Sequence, residues 1–467
     1  MALVLASLVS LLAVGSINFF AARDLLQDGS RGQLVGIAEN RVVSIERGLD
    51  NVLARTSTTG ADQGVVDALV DFSAATDALE DVELSDDERA VVDEFYRTQV
   101  VAPLGELGLE TTVREVVPSD DVGRYLQYHY TIPKRTGEPV EGEDDSSYAT
   151  ALVEHDEFLQ GVVELGGVED LLLIDTQGRV VYTAQQYADL GNDLGDGPLA
   201  ETNLAAAGFE KLPRVRIGDS VVADYERYLP GGGRPALFVL VAVKDGVEAV
   251  GVLAMRIPVD GLNVITTNNG QWEQAGLGEG ETYVVSADQL LLSESRAWIE
   301  DPEGYLADVD EPDLARLIEA FGSPVGLQPV DTKAVRSALA GETFSGQSSN
   351  YLGVSSFSFA RRVSIDGLDW VVVAEQPIGE LRAPLWDYLG RLGLVVAILL
   401  PIAALLGYVL ADRLTRSIVP VVRMAESVVD GERDLEVPDL GANEVGDLAR
   451  QLGRMANELG EREAVSY

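Results

Sequence analysis

The sequence predicts an α+β protein in which long N-terminal helices and two antiparallel-sheet modules lie between two transmembrane helices, followed by a bundle of paired helices. Three observations lead to this prediction. Apolar runs without charge stand near the two ends of a 467-residue chain. Strand–turn–strand patterns occur twice between these runs. A repeat of apolar residues every three or four positions follows the second run. The length allows several domains.

The apolar run at residues 392–411 contains no charged residue. Its length of about 20 residues is enough to cross a hydrocarbon core of roughly 30 Å. Pro401 lies within the run, where neighbouring helices can satisfy the carbonyl that a proline frees. A buried core helix is the alternative, but an uncharged run of this length favours a span. We therefore predict a transmembrane helix at residues 389–411.

The N-terminal run, residues 2–22, is also apolar and uncharged. A signal peptide is the alternative, but it would need a basic leading segment, so we predict a first transmembrane helix at residues 1–22 whose cytoplasmic leader is missing from this sequence. Three arginines follow the second run, at positions 413, 416 and 423. The positive-inside rule then places the C-terminus in the cytoplasm and residues 23–388 outside, as in a multi-pass protein of a bacterial inner membrane.

The charge balance excludes some functions. There are 77 Asp and Glu against 34 Lys and Arg, giving a net charge of −43, so the basic surface of a nucleic-acid-binding protein is missing. Cysteine is absent, which excludes disulfides, thiolate zinc sites and cysteine nucleophiles. His129 and His155 are the only histidines, and each is expected to be a packing residue. We predict neither a metal nor a cofactor.

Residues 23–118 are predicted to form long helices that rise from the membrane. Apolar residues recur there at helical spacing, and Ser85 with acidic residues after it marks a helix start. The segment at 133–145 combines Pro, Gly and charge, which predicts an exposed loop. Residues 148–165 resume a helix.

The first predicted sheet module occupies residues 119–275 with its leading helix. Two strands around a Gln177-Gly178 turn form a hairpin over residues 170–184. After a connecting segment, three more strands are predicted, at residues 220–228, 236–243 and 247–257. The glycine run at 231–233 lies between two of these strands, so a hairpin turn is expected there rather than a phosphate-binding loop.

The same plan recurs at residues 276–380, which we predict to be a second sheet module. A hairpin is expected over residues 281–296, followed by helical stretches and by late strands at 351–363 and 368–375. In both modules a strand, a glycine-containing turn and a strand lead to a proline. This indicates a distant internal duplication.

A heptad pattern follows the second apolar run. Apolar residues alternate in steps of four and three from Leu414 to Val428, and the pattern resumes from Val445 to Leu459 after a break at Gly431. Each helix alone is too short to be stable in water, but two chains would bury both seams in a parallel four-helix bundle. A generic juxtamembrane coiled coil is the alternative.

Residues 412–462 resemble the HAMP linker of bacterial receptors. The predicted relay residues are Pro420, Gly431, Glu444 and Gly446. Asn443 stands where the family usually has an acidic residue. The resemblance implies a homodimer that converts a small movement of the second span into a change of bundle packing. Residues 463–467 are expected to begin an output domain that lies beyond this sequence.

Several segments between the two runs look like those of one group of receptors. They are residues 224–228, 277–285, 293–296, 330–335, 340–342 and 368–370, the last before Ala374 and Glu375. The chain resembles double Cache (dCache) sensors, in the subset found ahead of class III adenylate or guanylate cyclases, chemoreceptor domains or histidine kinases. The resemblance covers most of residues 23–462. It implies a distal and a proximal PAS-like (Cache) module, signal transduction, and a small extracytoplasmic ligand.

The resemblance also implies where the ligand binds. Cache ligands lie in the distal module, between the sheet and the segment that joins its second and third strands. The predicted contacts are Tyr182, Asp224, Tyr225, Tyr228 and Phe238. Aromatic walls with one or two charged groups suit a polar ligand. Alternation along a strand turns neighbours such as Asp224 and Tyr225 to opposite faces, so only some of the five contribute. The arginine–tryptophan motif of amino-acid-binding Cache sensors is not evident.

No catalytic residue is predicted for this chain. Ser293 and Ser295 have no histidine nearby in the sequence, and the acidic loop at residues 141–145 lacks the spacing of an EF-hand. Two alternatives to a receptor for a small ligand stay open. The chain is the sensory front of a membrane adenylate or guanylate cyclase, or its exterior docks a periplasmic binding protein and has no small-molecule pocket.

Overall fold

The computed structural model describes residues 2–464 except 141–143, 217, 259, 273, 433–435 and 442. Side chains are described for the same residues except 2–13, 18, 22–28, 30, 381–385, 387, 388 and 459–464. The chain divides into two compact units. One comprises residues 29–381, and the other comprises residues 1–28 with 382–467.

Helices lead into the 29–381 unit. The first, α1 (Ala2–Gly60), reaches into this unit, and α2 (Gln63–Asp77) follows it after a turn. Ser85 caps α3 (Asp86–Phe95) as predicted, and the Glu88 side chain accepts a bond from the Ser85 backbone in return. The remaining leading helices are α4 (Ala102–Glu106), α5 (Val113–Val116), α6 (Asp121–Leu126), α7 (Ile132–Thr136) and α8 (Ser147–Gly166).

Among the described residues of this unit, three π-helical turns interrupt the helical segments. They are Tyr96–Val101, Gln127–Thr131 and Ala207–Lys211. The last follows α9 (Asn203–Ala206) in the segment that connects the second and third strands. Such turns are often found at functional sites. Short 3₁₀ turns lie at Leu212–Arg214, Leu229–Gly231 and Asn268–Gly270.

The first sheet has five antiparallel strands in the order β2-β1-β5-β4-β3. The strands are β1 (Asp170–Ile174), β2 (Val180–Thr183), β3 (Ser220–Tyr228), β4 (Arg234–Asp245) and β5 (Glu248–Ile257). β1 and β2 form the predicted hairpin, and Gly178 supplies the positive φ of its turn, +103°. The predicted plan of two strands, a connecting segment and three strands is therefore confirmed.

The second sheet has four antiparallel strands in the order β6-β9-β8-β7. They are β6 (Glu281–Val285), β7 (Phe344–Ser349), β8 (Ser355–Arg362) and β9 (Val371–Pro377). Before β6 lies α10 (Asp260–Thr267), and between β6 and β7 lie α11 (Arg296–Glu300), α12 (Pro302–Asp308), α13 (Pro312–Phe321) and α14 (Lys333–Leu339). Two antiparallel sheets with helices confirm the predicted α+β class.

Two strand predictions in the second module are wrong. The two arms of the hairpin expected over residues 281–296 do pair, through the isolated bridge between Val285 and Leu291 and the bond from Leu292 N–H to Val284 O, but the second arm does not form a strand, and Leu291 N–H donates to Gln328 O. The strand expected over 351–363 begins at Ser355, and an unpredicted strand, β7, precedes it. The sequence of β7, FSGQSS, has a single large apolar residue and no β-branched residue, so it gave no strand signal.

The two faces of the first sheet cover separate cores. Strand alternation turns Leu171 and Leu173 toward the core that contains α2 and α8 residues, and turns Leu172 and Ile174 toward the connecting segment. All four are buried. The cavity described below lies at the end of the face that the connecting segment covers.

A further apolar core joins the two sheet modules. Val222 and Val239 of the first sheet pack with Val284 and Trp370 of the second module, and Ile45 of α1 lies in the same cluster. All five side chains are buried. The two modules thus share core residues within the 29–381 unit.

The other unit contains the start of α1, most of α15 (Ile378–Val429) and α16 (Glu444–Ala464). Among the described residues, one stretch, Leu389–Val429, is long and apolar enough to cross a membrane, and it contains the predicted second span. The first predicted span, residues 1–22, is helical from Ala2, but most of its side chains lie outside the described part of the chain. Gly15 within it lies against the Leu392 side chain.

Candidate ligand-binding site

A cavity of about 530 Å³ opens at one end of the first sheet. Because neighbouring strands are antiparallel, β1 and β4 begin at this end and β2, β3 and β5 finish there. The opposite wall comes from the helices that precede the sheet. The main lining residues are Phe95, Gln99, Val100, Leu104, Arg135, Glu169, Tyr187, Leu229, Gly231, Arg234 and Arg256. A cavity of this size suits a small metabolite.

The charged residues of the cavity are mostly basic. Arg135, Arg234 and Arg256 line it, against one acidic residue, Glu169. Arg256 lies in β5 and is only 4% exposed, whereas Arg135 and Arg234 are exposed at the rim. Arginine side chains are always charged in proteins. The cavity is therefore a positive site in a protein whose net charge is −43.

Arg256 is held by contacts that leave its hydrogen-bonding capacity largely unused. Its Nε lies 3.0 Å from Glu169 Oε2, but the N–H is not directed at that oxygen, so no hydrogen bond forms. The guanidinium carbon lies 5.7 Å from the centre of the Tyr228 ring. A Cβ at Gly231 would stand 2.6 Å from Nη1, so the glycine lets the turn backbone approach the guanidinium.

Tyr187 lies between two of these arginines. The guanidinium carbon of Arg135 is 4.9 Å from its ring centre, and that of Arg256 is 5.8 Å away. A cation over an aromatic face is stabilised by about 0.5–2 kcal/mol, depending on how far it is desolvated. The tyrosine therefore orders two guanidinium groups at the cavity without neutralising them.

A buried polar group stands behind the cavity wall. Tyr228 O–H donates to Asp189 Oδ2 at 2.8 Å, and Asp189 Oδ1 has no hydrogen-bond partner among the described residues. Asp170 accepts a bond of 2.9 Å from Thr183 Oγ1. Burial raises the pKa of both Asp170 and Asp189, and the mutual repulsion of the two carboxylates raises that of Asp170 further. The positive charge of Arg256 opposes the rise in the pKa of Asp189.

The π turn Tyr96–Val101 forms the helical wall and contributes Gln99 and Val100 to the lining. Tyr96 O–H donates to Ala188 O at 3.0 Å, which ties this wall to the connecting segment. Because this bond joins residues that are 92 positions apart, segments that are distant in the sequence meet at the cavity wall.

Two of the five predicted ligand contacts lie together behind the cavity. Tyr228 is buried, and its ring packs edge-on against Phe238 with the ring centres 5.0 Å apart. Arg256 is the cross-strand partner of Phe238. Neither aromatic residue is among those that line the cavity. Their contact with a ligand stays a prediction.

The other three predicted contacts lie elsewhere. Tyr182 packs against Phe72 on the opposite side of the sheet, and its hydroxyl donates to Asp156 Oδ1 at 2.8 Å. Asp224 and Tyr225 both contact Trp370 of the second module. The structure therefore brings Tyr228 and Phe238 together and separates the remaining three from them.

The residues that sequence reasoning missed are the arginines. Arg256 carried a usable signal, because a charged residue in the otherwise apolar strand EAVGVLAMRI requires a partner when it is buried. Arg135 and Gln99 carried no such signal. They lie on helical turns, and only tertiary packing brings these turns to the cavity.

A second cavity, of about 500 Å³, lies in the second module. Glu281 and Glu375 line it and are cross-strand partners on β6 and β9. Tyr351 O–H donates to Glu281 at 2.8 Å, and Tyr283 O–H donates to Glu375 at 3.0 Å. Burial raises the pKa of both glutamates. Burial thus disfavours the charged form of both carboxyls.

The two histidines have neighbours that account for them. His155 Nε2 lies 2.8 Å from Asp71 Oδ2, and the His129 ring packs 4.3 Å from Tyr125. Glu154 stands close enough to Asp71 and His155 to make a group with metal-ligand spacing, which the sequence did not predict. Exposed acidic side chains commonly lie close to one another without binding an ion. The contact between His155 and Asp71 is therefore enough to explain the position of the His155 ring. Residues 141–143 of the predicted acidic loop lie outside the described part.

The helices that follow the second span pack on each other within their unit. Val421 and Met424 of α15 lie against Ala449 of α16, and all three are buried. Pro420 lies within α15, and Gly431, two residues after the end of this helix, has a φ of +93°, a value that favours glycine. The predicted break at Gly431 is thus a left-handed residue.

Gly446 has a steric reason to be glycine. A Cβ at this position would collide with Gly441 O. The Gly446 N–H also donates to Asn443 Oδ1 at 2.8 Å, so Asn443 acts as the cap of α16, which begins at Glu444. The substitution of Asn for the usual acidic residue therefore preserves a capping oxygen.

The helices α15 and α16, with the segment that connects them, can be compared with known protein families. Residues 409–461 match the HAMP domain family. The match covers the end of α15, the connector and α16. Together with the two sheet modules, the HAMP match confirms the resemblance to a double sensor followed by a HAMP domain. No curated protein matches this chain at a significant level.

Solved structures of sensor domains are similar to the chain at low identity. The sensor domain of the V. cholerae histidine kinase DctB is 12% identical, covering 62% of this chain and 98% of that one, with a TM-score of 0.30. The ligand-binding domain of the Pseudomonas fluorescens chemoreceptor CtaA, in complex with L-leucine, is 12% identical over 64% and 100%, also with a TM-score of 0.30. That of the Pseudomonas aeruginosa PAO1 chemoreceptor PctB, with L-Arg, is 16% identical over 51% and 86%, again at 0.30. At this similarity their ligands are not transferred to this chain.

Proposed function

We propose that this chain is the sensory and relay part of a transmembrane signal-transduction receptor. A small extracytoplasmic ligand binds in the cavity of the first module, and the HAMP segment passes the signal to a cytoplasmic effector. The chain itself binds and relays without catalysis. The observation that carries the proposal is a cavity of about 530 Å³ in the same chain as a HAMP match.

The connectivity of the chain supports a short route from the cavity to the membrane. Asp224 and Tyr225 of the first module contact Trp370, which directly precedes β9. β9 ends at Pro377 and α15 begins at Ile378, so the strand continues into the helix that carries the second span. A shift of the first module is expected to pull on β9 and thereby on α15.

A two-span topology fits the described residues of the other unit. The stretch Leu389–Val429 is long and apolar enough to span, and Gly15 of the N-terminal run lies against Leu392. We propose that both runs cross a bacterial inner membrane, with residues 23–388 outside. The arginines at positions 413, 416 and 423 support a cytoplasmic C-terminus.

A homodimer is proposed from the apolar residues that the HAMP helices leave uncovered. Within one chain, several residues of the predicted heptad seams are 46–58% exposed: Leu414, Ile418, Leu448 and Met455. A second copy would cover them in a parallel four-helix bundle.

A stability screen of the full chain tests ligand binding. The receptor is solubilised in detergent, and its melting temperature is measured with a panel of small metabolites. A ligand at 100 times its Kd stabilises the folded state by about 2.7 kcal/mol, which raises Tm by several degrees. Val100→Trp should fill the cavity and abolish the shift.

Val91→Trp is the matched control, because Val91 lies on the neighbouring helix with 42% exposure and does not line the cavity. The control should keep the full shift. If no metabolite stabilises the folded receptor, the proposal fails. Stabilisation by a periplasmic binding protein alone would then favour the docking alternative.

A further inference from the structure

Two acidic residues stand opposite each other on neighbouring strands of the second sheet. Glu281 opens β6 and is the cross-strand partner of Glu375 on β9. At the same place in the first sheet, Asp170 opens β1 and is the cross-strand partner of Arg256. Side chains at such positions have Cβ atoms about 4.5–5.5 Å apart. The second module thus has two acids where the first module has an acid and a base, and the two repel each other when both are ionised.

Both carboxyls are buried and accept hydrogen bonds from neutral donors. Glu281 is 7% exposed and Glu375 is 3% exposed. The Tyr351 O–H and the backbone N–H of Arg296 donate to Glu281 at 2.8 and 2.9 Å. The Tyr283 O–H donates to Glu375 at 3.0 Å. Neutral donors hold a carboxylate less firmly than a cation does, so the pair is able to retain a proton.

The other charged groups around the pair are mostly acidic. Arg296 of α11 lines the same cavity, but its guanidinium pairs with Glu300 at 2.8 Å and donates to Gly280 O at 2.9 Å. Burial raises the pKa of both carboxyls, and repulsion from Glu281 raises that of Glu375 further, whereas the hydrogen bonds and the charge of Arg296 oppose the rise. The remaining polar groups around the pair are Glu279 before β6, Glu300 of α11, Tyr305 and Asp308 of α12, and the neutral side chains of Asn350 and Ser358.

The pair lies close to the start of the helix that carries the second predicted span. Glu375 is two residues before Pro377, where β9 ends, and α15 begins at Ile378. Glu380 of α15 accepts a bond of 3.0 Å from the Glu279 N–H, which ties the start of this helix to the same end of β6. Both carboxyls of the pair line the cavity of about 500 Å³, which gives protons access to them. A change in their charge therefore acts where the sheet meets α15.

We propose that Glu281 and Glu375 form a proton-binding site through which the receptor responds to extracytoplasmic pH. In the acidic state the two carboxyls share at least one proton, and β6 and β9 stay together. In the alkaline state both carboxyls ionise and repel each other, which shifts the end of β9 and thereby α15. This inference rests on the proposed function, because it adds a second input to the same relay, and it requires no ligand in the first module.

Infrared spectroscopy of the detergent-solubilised full chain measures the proton directly. A protonated carboxyl has a carbonyl band that an ionised one lacks. The difference between the bands of wild type and Glu375→Gln should disappear as the pH rises from about 6 to about 9, a range in which ordinary carboxyls are already ionised. Glu281→Gln should move the loss of the remaining band to lower pH, because it removes the repulsion that acts on Glu375. Asp308→Asn is the matched control at an exposed acid of the same cavity and should leave the band unchanged.

Crosslinking of Ile418→Cys measures whether the proton reaches the relay. Right-side-out vesicles with a buffered interior allow the outer pH to change while the thiol stays at constant pH. The crosslinking rate should change by about fivefold between about pH 6 and about pH 9. With Glu375→Gln added, the rate should stay at the value that wild type has at the acidic end. With Asp308→Asn added, it should follow the pH as in wild type.

Two results would overturn the inference. If the infrared band is the same in wild type and Glu375→Gln, the pair holds no proton, and the proposed function stands because the cavity of the first module does not involve the pair. If the band titrates but crosslinking does not follow the outer pH, the pair contributes to stability alone. The proposed function then fails as well only if a metabolite that stabilises the receptor also leaves the crosslinking rate unaltered.

Discussion

Trp370 Nε1 donates a hydrogen bond of 2.7 Å to Asp224 Oδ1, which joins the second sheet module to the first. The Tyr225 ring stacks on the same indole, with ring centres 5.5 Å apart. Trp370 is fully buried. Burial raises the pKa of the Asp224 carboxyl, and the bond from Trp370 opposes that rise. Two residues that the sequence suggested as ligand contacts are thus engaged by the neighbouring module.

Trp370→Phe should destabilise the receptor. The substitution keeps an aromatic ring in the shared core but removes the side-chain donor of a buried carboxylate. We expect the free energy of unfolding to fall by about 1–3 kcal/mol, measured by denaturant titration followed by circular dichroism.

The double variant Asp224→Ala with Trp370→Phe isolates the bond itself. If the two residues interact as described, the double variant loses less stability than the sum of the single variants, by about 0.5–3 kcal/mol. Additive losses would show that the bond does not couple the modules.

Cysteine crosslinking in membranes tests the proposed dimer. The chain has no cysteine, so a single introduced thiol reacts only with its copy in a second chain. Ile418→Cys, on the exposed part of the predicted seam, should give disulfide-linked dimers on mild oxidation. Arg416→Cys, two residues away and on the opposite side of the helix, is the control and should crosslink poorly. Equal yields at the two positions would contradict a seam-specific dimer.

Gly446→Ala should disrupt the start of α16. The added Cβ would collide with Gly441 O, a backbone atom that cannot move without displacing the connector. We expect a lower crosslinking yield from Ile418→Cys when this substitution is added. Gly379→Ala, in α15 with open space around the added Cβ, should leave the yield unchanged. A normal crosslinking yield with Gly446→Ala would show that the dimer does not depend on the close approach of Gly446 to Gly441 O.

The buried glutamates predict a pH dependence of stability. Burial raises the pKa of Glu375 from 4.5 to about 8, so the folded chain favours the protonated carboxyl. The stability from this group is complete below pH 4.5 and is lost as the pH rises through about 8. Glu375→Gln mimics the protonated form, so its Tm should rise relative to wild type over this range.

Glu342→Gln serves as the control for this comparison, because Glu342 is exposed and should show no such divergence. Parallel Tm curves for Glu375→Gln and wild type would mean that Glu375 ionises in the folded protein as it does in water.

Local patterns were sufficient for much of the fold. The hairpin of β1 and β2 and the three later strands follow from alternation and turn residues, which act between neighbours in sequence. The connector after Gly431 and the glycine at 446 likewise carried short-range signals. The domain boundaries proposed from the sequence remain predictions, as does each ligand contact.

The residues of the site could not be predicted from the alternation of apolar and polar residues along the strands. The pairing of β3 with β4 shifts register between Ala223 and Glu226, so the facing of Asp224 and Tyr225 does not follow from counting along the strand. Arg135 reaches the cavity from a helix, and its position results from packing between distant segments. The polarity of the cavity could be recognised only after these segments were assembled.

The most direct measurement of the central claim is crosslinking of Ile418→Cys in membranes with and without a metabolite that stabilises the folded receptor. We predict that this metabolite changes the crosslinking rate at the HAMP seam, and that Val100→Trp, which fills the cavity, abolishes the change. A metabolite that stabilises the receptor through the cavity, yet leaves the crosslinking rate unaltered, would contradict a relay from the first module to the HAMP segment.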